Sequence, residues 1–193
     1  MKLIGNEIIL SSNSPARLSL LKDAGFTVNV QPTHTKEFIN FSDPNDTAID
    51  IARQKMQSFI DMYGRPSIPV LTVDTLIYFE GQFIGKQPDR NSAKAILSAF
   101  SDNTHSVYSG AVICLPGQDD LITVSDSADI TFFSLDELEI DTYLDAQEWI
   151  GAAGAYRIQK TGVSLVKSLD GDFYSVVGLP LMKIFGILRG QSY

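Results

Sequence analysis

The chain has 193 residues, 44 % of them hydrophobic and 20 % charged, with a formal net charge of −8 at pH 7. That mixture excludes a disordered or repetitive polymer, and the acidic balance argues against a non-specific nucleic-acid binder, which needs a basic face. No run of about 18 apolar residues occurs, so no membrane-spanning helix is expected.

The length suits one domain, 1–193, or two small lobes sharing a core. The opening MKLIGNEII reaches a glutamate too early for a signal peptide, and a cytoplasmic protein is the expectation. The single cysteine, Cys114, lies in the apolar run GAVICLP and reads as a buried structural thiol. With only His34 and His105, a His/Cys zinc site is excluded, and any metal would be a hard cation held by oxygen.

In chain order, residues 7–11 predict a strand and 15 to about 24 a helix. Ser14 stands at the N-cap, Pro15 at the first helical position and Gly25 just past the end. Leu18, Leu20 and Leu21 supply its apolar face. TVNVQP, 27–32, predicts a second strand. From 44 to 63, Ile49, Ala52, Met56, Phe59, Ile60 and Tyr63 recur at helical spacing, with Lys55 beside the stripe. The nearly continuous apolar run at 69–79 predicts a central strand, followed by the turn EGQF and a helix at about 91–100. Runs 105–115 and 121–133 flank PGQDD as a hairpin. Ser134 with Glu137 predicts a capping box for a helix to about 146. A last strand at about 163–169, the turn DGD and a helix after Leu179-Pro180 complete an α/β pattern with a mixed sheet.

Two familiar phosphate-binding motifs and the serine nucleophile elbow are absent. GQFIGKQ, 81–87, has the wrong glycine spacing for a P-loop, and neither G-x-G-x-x-G after the first strand nor G-x-S-x-G occurs. The first strand–helix junction carries more. A helix N-terminus attracts anions, Ser12 and Ser14 add hydroxyls, and Arg17 adds a planar fork one turn in. Simple helix capping explains the same residues. Asp74 interrupts an apolar strand among Leu71, Val73, Leu76 and Ile77. It reads either as a strand-end cap or as a cleft-edge carboxylate acting as general base or magnesium ligand. Glu37, Lys55 and Lys86 read singly as surface charges.

Seven pieces in order change that reading: SSNSPAR, Glu37, ARQK ending at Lys55, VDT at 73–75, GK at 85–86, AGAYRIQ at 153–159 and VVGLPL at 176–181. Together they resemble the Maf-like nucleoside triphosphate pyrophosphatases, relatives of the inosine-triphosphatase superfamily. The resemblance implies an elongated mixed β-sheet flanked by helices, two lobes and an active-site cleft between them. It implies hydrolysis of a nucleoside triphosphate to the monophosphate and pyrophosphate with Mg2+ or Mn2+. Asp74 would be the general base. Lys55, Lys86 and Arg17 would neutralise phosphate oxygens, and Ser12 would contact the same group. Glu37, with Asp74, would hold the metal. A homodimer is in keeping with the family.

The family usually reads Ser-Pro-Arg-Arg where this chain has Ala16 in the first arginine's place. Positions 16, 75 and 159 resemble the set that separates family groups, and Ala16-Thr75-Gln159 matches two of three for dTTP/UTP. Gly151-Ala152, Arg157 and Lys160 also depart from the pattern. Arg157 is expected to replace the missing cation at position 16 in part. A regulator of cell division with the same fold but weak turnover is the competing reading, and retention of Asp74, Lys55 and Lys86 together favours the enzyme.

Overall fold

The computed structural model describes residues 7–189. The elements are β1 (Glu7–Leu10), α1 (Pro15–Asp23), β2 (Thr27–Val30), α2 (Pro44–Tyr63), β3 (Val70–Phe79), β4 (Gln82–Ile84), α3 (Arg90–Phe100), β5 (Thr104–Cys114), β6 (Leu121–Phe132), α4 (Glu137–Asp145), a 3-10 turn (Thr161–Leu165), β7 (Val166–Gly171), α5 (Phe173–Val177) and α6 (Leu181–Leu188). The strands hydrogen-bond in the order β2-β1-β3-β5-β6-β7, with β4 on β3. The sheet is mixed: β1 runs parallel to β2 and β3, while β3–β4 and β6–β7 are antiparallel.

The chain divides into two compact units. The first holds residues up to Thr75, then Ser109–Asp126, then those from Gly178 onward. Strands β1, β3 and the second half of β5 bury both faces there, and the period-2 alternation of side chains sorts them into two cores. Ile8, Leu10, Leu71, Val73, Ala111 and Ile113 pack with Leu21 of α1 and with Ile184 and Ile187 of α6. Ile9, Val70, Val112 and Cys114 pack with Ala52, Met56 and Phe59 of α2. Cys114 is fully buried, as its apolar run requires. In this unit β3 therefore turns Leu71 and Val73 toward α1 and α6 and Val70 toward α2.

The second unit is Leu76–Tyr108 with Ser127–Val177. Its core gathers Phe100, Val107, Phe132 and Tyr156 with Ala93 and Leu97 of α3 and Ile140, Tyr143 and Leu144 of α4. Outside the core, Arg90 and Lys94 of α3 pair with Asp141 of α4.

The helix and strand expectations hold for most elements. Ser14 caps α1 through a bond from the Arg17 N–H, Pro15 opens it, and Gly25 sits at φ 93°. Two expectations are corrected. The capping box is Asp136 with Glu139, not Ser134 with Glu137. Each side chain of the observed pair accepts from the other's backbone N–H, at 2.9 and 2.8 Å. The Asp136 carboxylate, two residues later, serves as the cap. Residues 161–165 wind into a 3-10 turn because Thr161 N–H and Oγ1–H both donate to Glu148, so β7 starts at Val166. The short helix α5, headed by buried Asp172 bonded to Ser175, falls in a segment predicted only as a turn and a loop.

Candidate active site

The part of β3 that belongs to the first unit runs Val70–Thr75, and its alternation decides which helix each side chain meets. Asp74 shares the α2 face with Val70 and Thr72, while Thr75 shares the α1 face with Leu71 and Val73. On α2, Ala52 and Lys55 are one turn apart on one side of the helix. The buried Thr72 hydroxyl donates to the Ala52 carbonyl at 2.7 Å and fixes α2 against β3. One turn on, Lys55 Nζ donates to Asp74 Oδ1 at 2.6 Å. The same ammonium lies 3.0 Å from Glu37 Oε1, so Lys55 bridges two carboxylates. Asp74 is 8 % exposed, Lys55 is half-buried and Glu37 faces solvent.

Gly110 lets α2 lie this close. A Cβ there would stand 2.5 Å from the Ala48 carbonyl carbon and the Ile49 nitrogen. No sequence signal marked it, because the crowding comes from a helix far away in the chain.

On the opposite face, Arg17 ties four segments together. Its Nε donates to the Gly178 carbonyl at 2.9 Å. Nη1 donates to the Val73 carbonyl at 2.9 Å and to Ser12 Oγ at 3.1 Å, and Nη2 to Thr75 Oγ1 at 3.1 Å. The Thr75 hydroxyl is also 2.8 Å from that of Ser109. Burial lowers the guanidinium's pKa from its usual value, opposed by the charges of Asp74 and Glu37. A guanidinium has five N–H donors, and these contacts use four. Ser12 Oγ also accepts the Ser14 N–H at 3.2 Å, and the buried Ser11 Oγ next to it has no partner among the described residues. Ala16 is half-buried in the first turn of α1.

The remaining candidates lie in the second unit. Lys86 is exposed after β4, in an antiparallel bridge with Ala153 that is reinforced by Gly154 N–H donating to the Gly85 carbonyl at 3.2 Å. Gln159 is exposed two residues beyond Arg157. The Arg157 side chain is anchored within the second unit. Its Nε donates to the Glu148 carbonyl at 2.9 Å and its Nη2 to the Ile150 carbonyl at 2.8 Å, which commits the side chain to the segment after α4. The family resemblance put Thr75 in the set of positions that separates nucleotide groups. The geometry gives its hydroxyl to Arg17 and Ser109, neither of which was read as its partner. Among the described residues no group of three or more His, Cys, Asp or Glu side chains gathers as a metal site, and no helix is long and apolar enough to cross a membrane.

The sequence model of the Maf-like protein family matches residues 7–191. A dTTP/UTP pyrophosphatase of Bacillus pumilus (strain SAFR-032) is 35 % identical over 185 residues, covering 95 % of this chain and 96 % of that one. A dTTP/UTP pyrophosphatase of Bacillus cereus (strain G9842) is 35 % identical, with 95 % and 94 % covered. Among solved structures, the Staphylococcus aureus Ham1 protein is similar with a TM-score of 0.46 at 10 % identity, covering 66 % of this chain and 72 % of that one. The family match over nearly the whole chain, joined to the full-length relatives, places the protein: it belongs to the Maf-like family.

Proposed function

We propose that the protein hydrolyses nucleoside triphosphates between the α- and β-phosphates, releasing the monophosphate and pyrophosphate, with UTP and dTTP preferred. The observation that carries this reading is the Glu37–Lys55–Asp74 constellation at the middle of β3. Lys55 holds Asp74 by Oδ1, which leaves Oδ2 to take a proton from an attacking water. The ammonium and the remaining Arg17 N–H offset charge developing on the leaving pyrophosphate. The N-terminus of α1, with Ser12 and Ser14, adds dipole and hydroxyl groups for phosphate oxygens. Full-length relatives that carry the dTTP/UTP pyrophosphatase name favour the enzyme over a weakly active regulator.

Glu37 and Asp74 are the oxygen donors that would hold a divalent cation, Mg2+ or Mn2+. Two carboxylates suit such an ion, which keeps waters and takes further oxygens from substrate phosphates. When bound, it would supply charge neutralisation on those phosphates. By the family resemblance, Lys86 would add a phosphate cation. The Gln159 amide would match the O4 and N3–H edge of uracil or thymine through its paired donor and acceptor.

The test is a panel of UTP, dTTP, CTP, GTP, ATP and 7-methyl-GTP with Mg2+ or Mn2+ and products identified. Pyrophosphate plus monophosphate, with the highest kcat/KM for UTP and dTTP, is expected. Orthophosphate release would place cleavage at another anhydride, and a purine preference would give Gln159 a different role. Ala16→Arg is expected to sharpen the pyrimidine preference, and an unchanged ratio of kcat/KM values would mean that position 16 does not read the base.

A further inference from the structure

Glu37 lies in the connection between β2 and α2, outside any helix or strand, yet its carboxylate meets Lys55 at 3.0 Å. A loop carboxylate held that closely needs something to hold the loop. Three side chains of α2, at positions 47, 50 and 54, supply it. The Thr47 hydroxyl donates to the Phe41 carbonyl at 3.0 Å. Asp50 Oδ2 accepts from Asn40 Nδ2 at 2.8 Å. Gln54 makes the closest connection: its Oε1 accepts the Phe38 N–H at 2.9 Å, and its Nε2 donates back to the Phe38 carbonyl at 2.8 Å. The same Nε2 also reaches Asp50 Oδ2 at 2.8 Å, which orients the amide. Spacings of three and four put these residues on one stripe of the helix.

Gln54 thus pairs with Phe38 as a neighbouring strand would, satisfying both backbone groups of the residue that follows Glu37. It is also the residue before Lys55, so one turn of α2 fixes both partners of the ion pair. Phe38, Ile39 and Phe41 are all exposed, at 53 %, 59 % and 48 %. Apolar burial therefore does little to anchor this loop, and its placement falls to the polar suture.

We propose that Gln54 is a positioning residue that holds the Glu37 carboxylate in the catalytic constellation through the Phe38 backbone. This rests on the pyrophosphatase reading above, and the experiment separates the two. Gln54→Met keeps length and helix propensity but removes both amide groups. In the free protein, hydrogen exchange at the Phe38 amide is expected to be protected in the wild type and to lose that protection in Gln54→Met, with the amides of α2 unchanged. With substrate, Gln54→Met is expected to lower kcat/KM by roughly ten- to a hundredfold, the cost of a misplaced catalytic group. In a Glu37→Gln background the same change is expected to cost less than about twofold, because its target is already gone.

Unchanged Phe38 exchange in Gln54→Met overturns the proposal, and so does a full-sized kinetic effect in the Glu37→Gln background. If the wild type releases no pyrophosphate, the functional reading fails by itself. The Phe38 amide still decides whether Gln54 holds the loop.

Discussion

A carboxylate that is nine-tenths buried on a central strand needs a cation, and at Asp74 that cation is also a catalytic candidate. Asp74→Asn leaves Lys55 its second partner, Glu37, so the variant is expected to fold. Without a base, kcat is expected to fall at least about a hundredfold, within the range for general-base removal. Near-normal turnover by folded Asp74→Asn would defeat the assignment. Thr75 separates two roles by a different readout. If its hydroxyl serves Arg17 and Ser109, Thr75→Val leaves polar groups unpaired and costs about 1–3 kcal/mol of stability. If it serves the base, selectivity shifts while the melting temperature stays put. Urea unfolding set beside UTP-to-GTP selectivity distinguishes them, and the hydrogen bonds favour the stability loss. Asp74 was legible in the sequence because a charge in an apolar run demands a reason. The partners of Arg17 were not, since the carbonyls of Val73 and Gly178 carry no side-chain signature.

At the scale of elements, amphipathic spacing foretold α2 and continuous apolar character foretold β3, because each is a local property of the chain. What brings them together was hidden. Gly110 of β5 carries no positive φ and no turn, and only the Ala48 backbone against it explains the missing side chain. Gly110→Ala forces a methyl into that contact, an overpacking expected to cost about 2–3 kcal/mol. In a protein of this size that lowers the melting temperature by roughly 5–10 °C. Because α2 also carries Lys55 and Gln54, turnover per folded molecule should fall as well. A Gly110→Ala protein that melts and turns over like the wild type would mean that α2 shifts without consequence. The misplaced capping box has a similar origin. Two overlapping candidates, Ser134/Glu137 and Asp136/Glu139, share the same spacing, and only the observed bonds choose between them.

For the whole molecule, global stability carries a pH signature that comes from the core of the second unit. His105 is 1 % exposed, stacked on Phe100 with ring centroids 4.0 Å apart, and its Nε2 lies 2.8 Å from the Tyr156 hydroxyl. Its Nδ1 has no partner among the described residues. In the sequence this histidine was only a residue too few for zinc, because a stacked aromatic box is assembled from four separate segments. Burial pushes its pKa down from 6.5 to about 4, against the weaker opposing pull of Asp129, and the same burial raises that of Tyr156. The folded value lies below the unfolded one, so the unfolded chain binds the proton first as pH falls. The contribution is therefore intact above about pH 6.5 and is lost progressively down to about pH 4. Between pH 7 and 4.5 linkage predicts a loss of about 2.5 kcal/mol from this residue alone. His105→Gln keeps a polar group for Tyr156 but has nothing to titrate, so its unfolding free energy should fall less over that interval by about the same amount. Carboxylates contribute to both proteins alike, and the difference between the two curves isolates the imidazole. Parallel curves from pH 7 to 4.5 would mean that His105 takes up its proton in the folded protein as readily as in the unfolded chain.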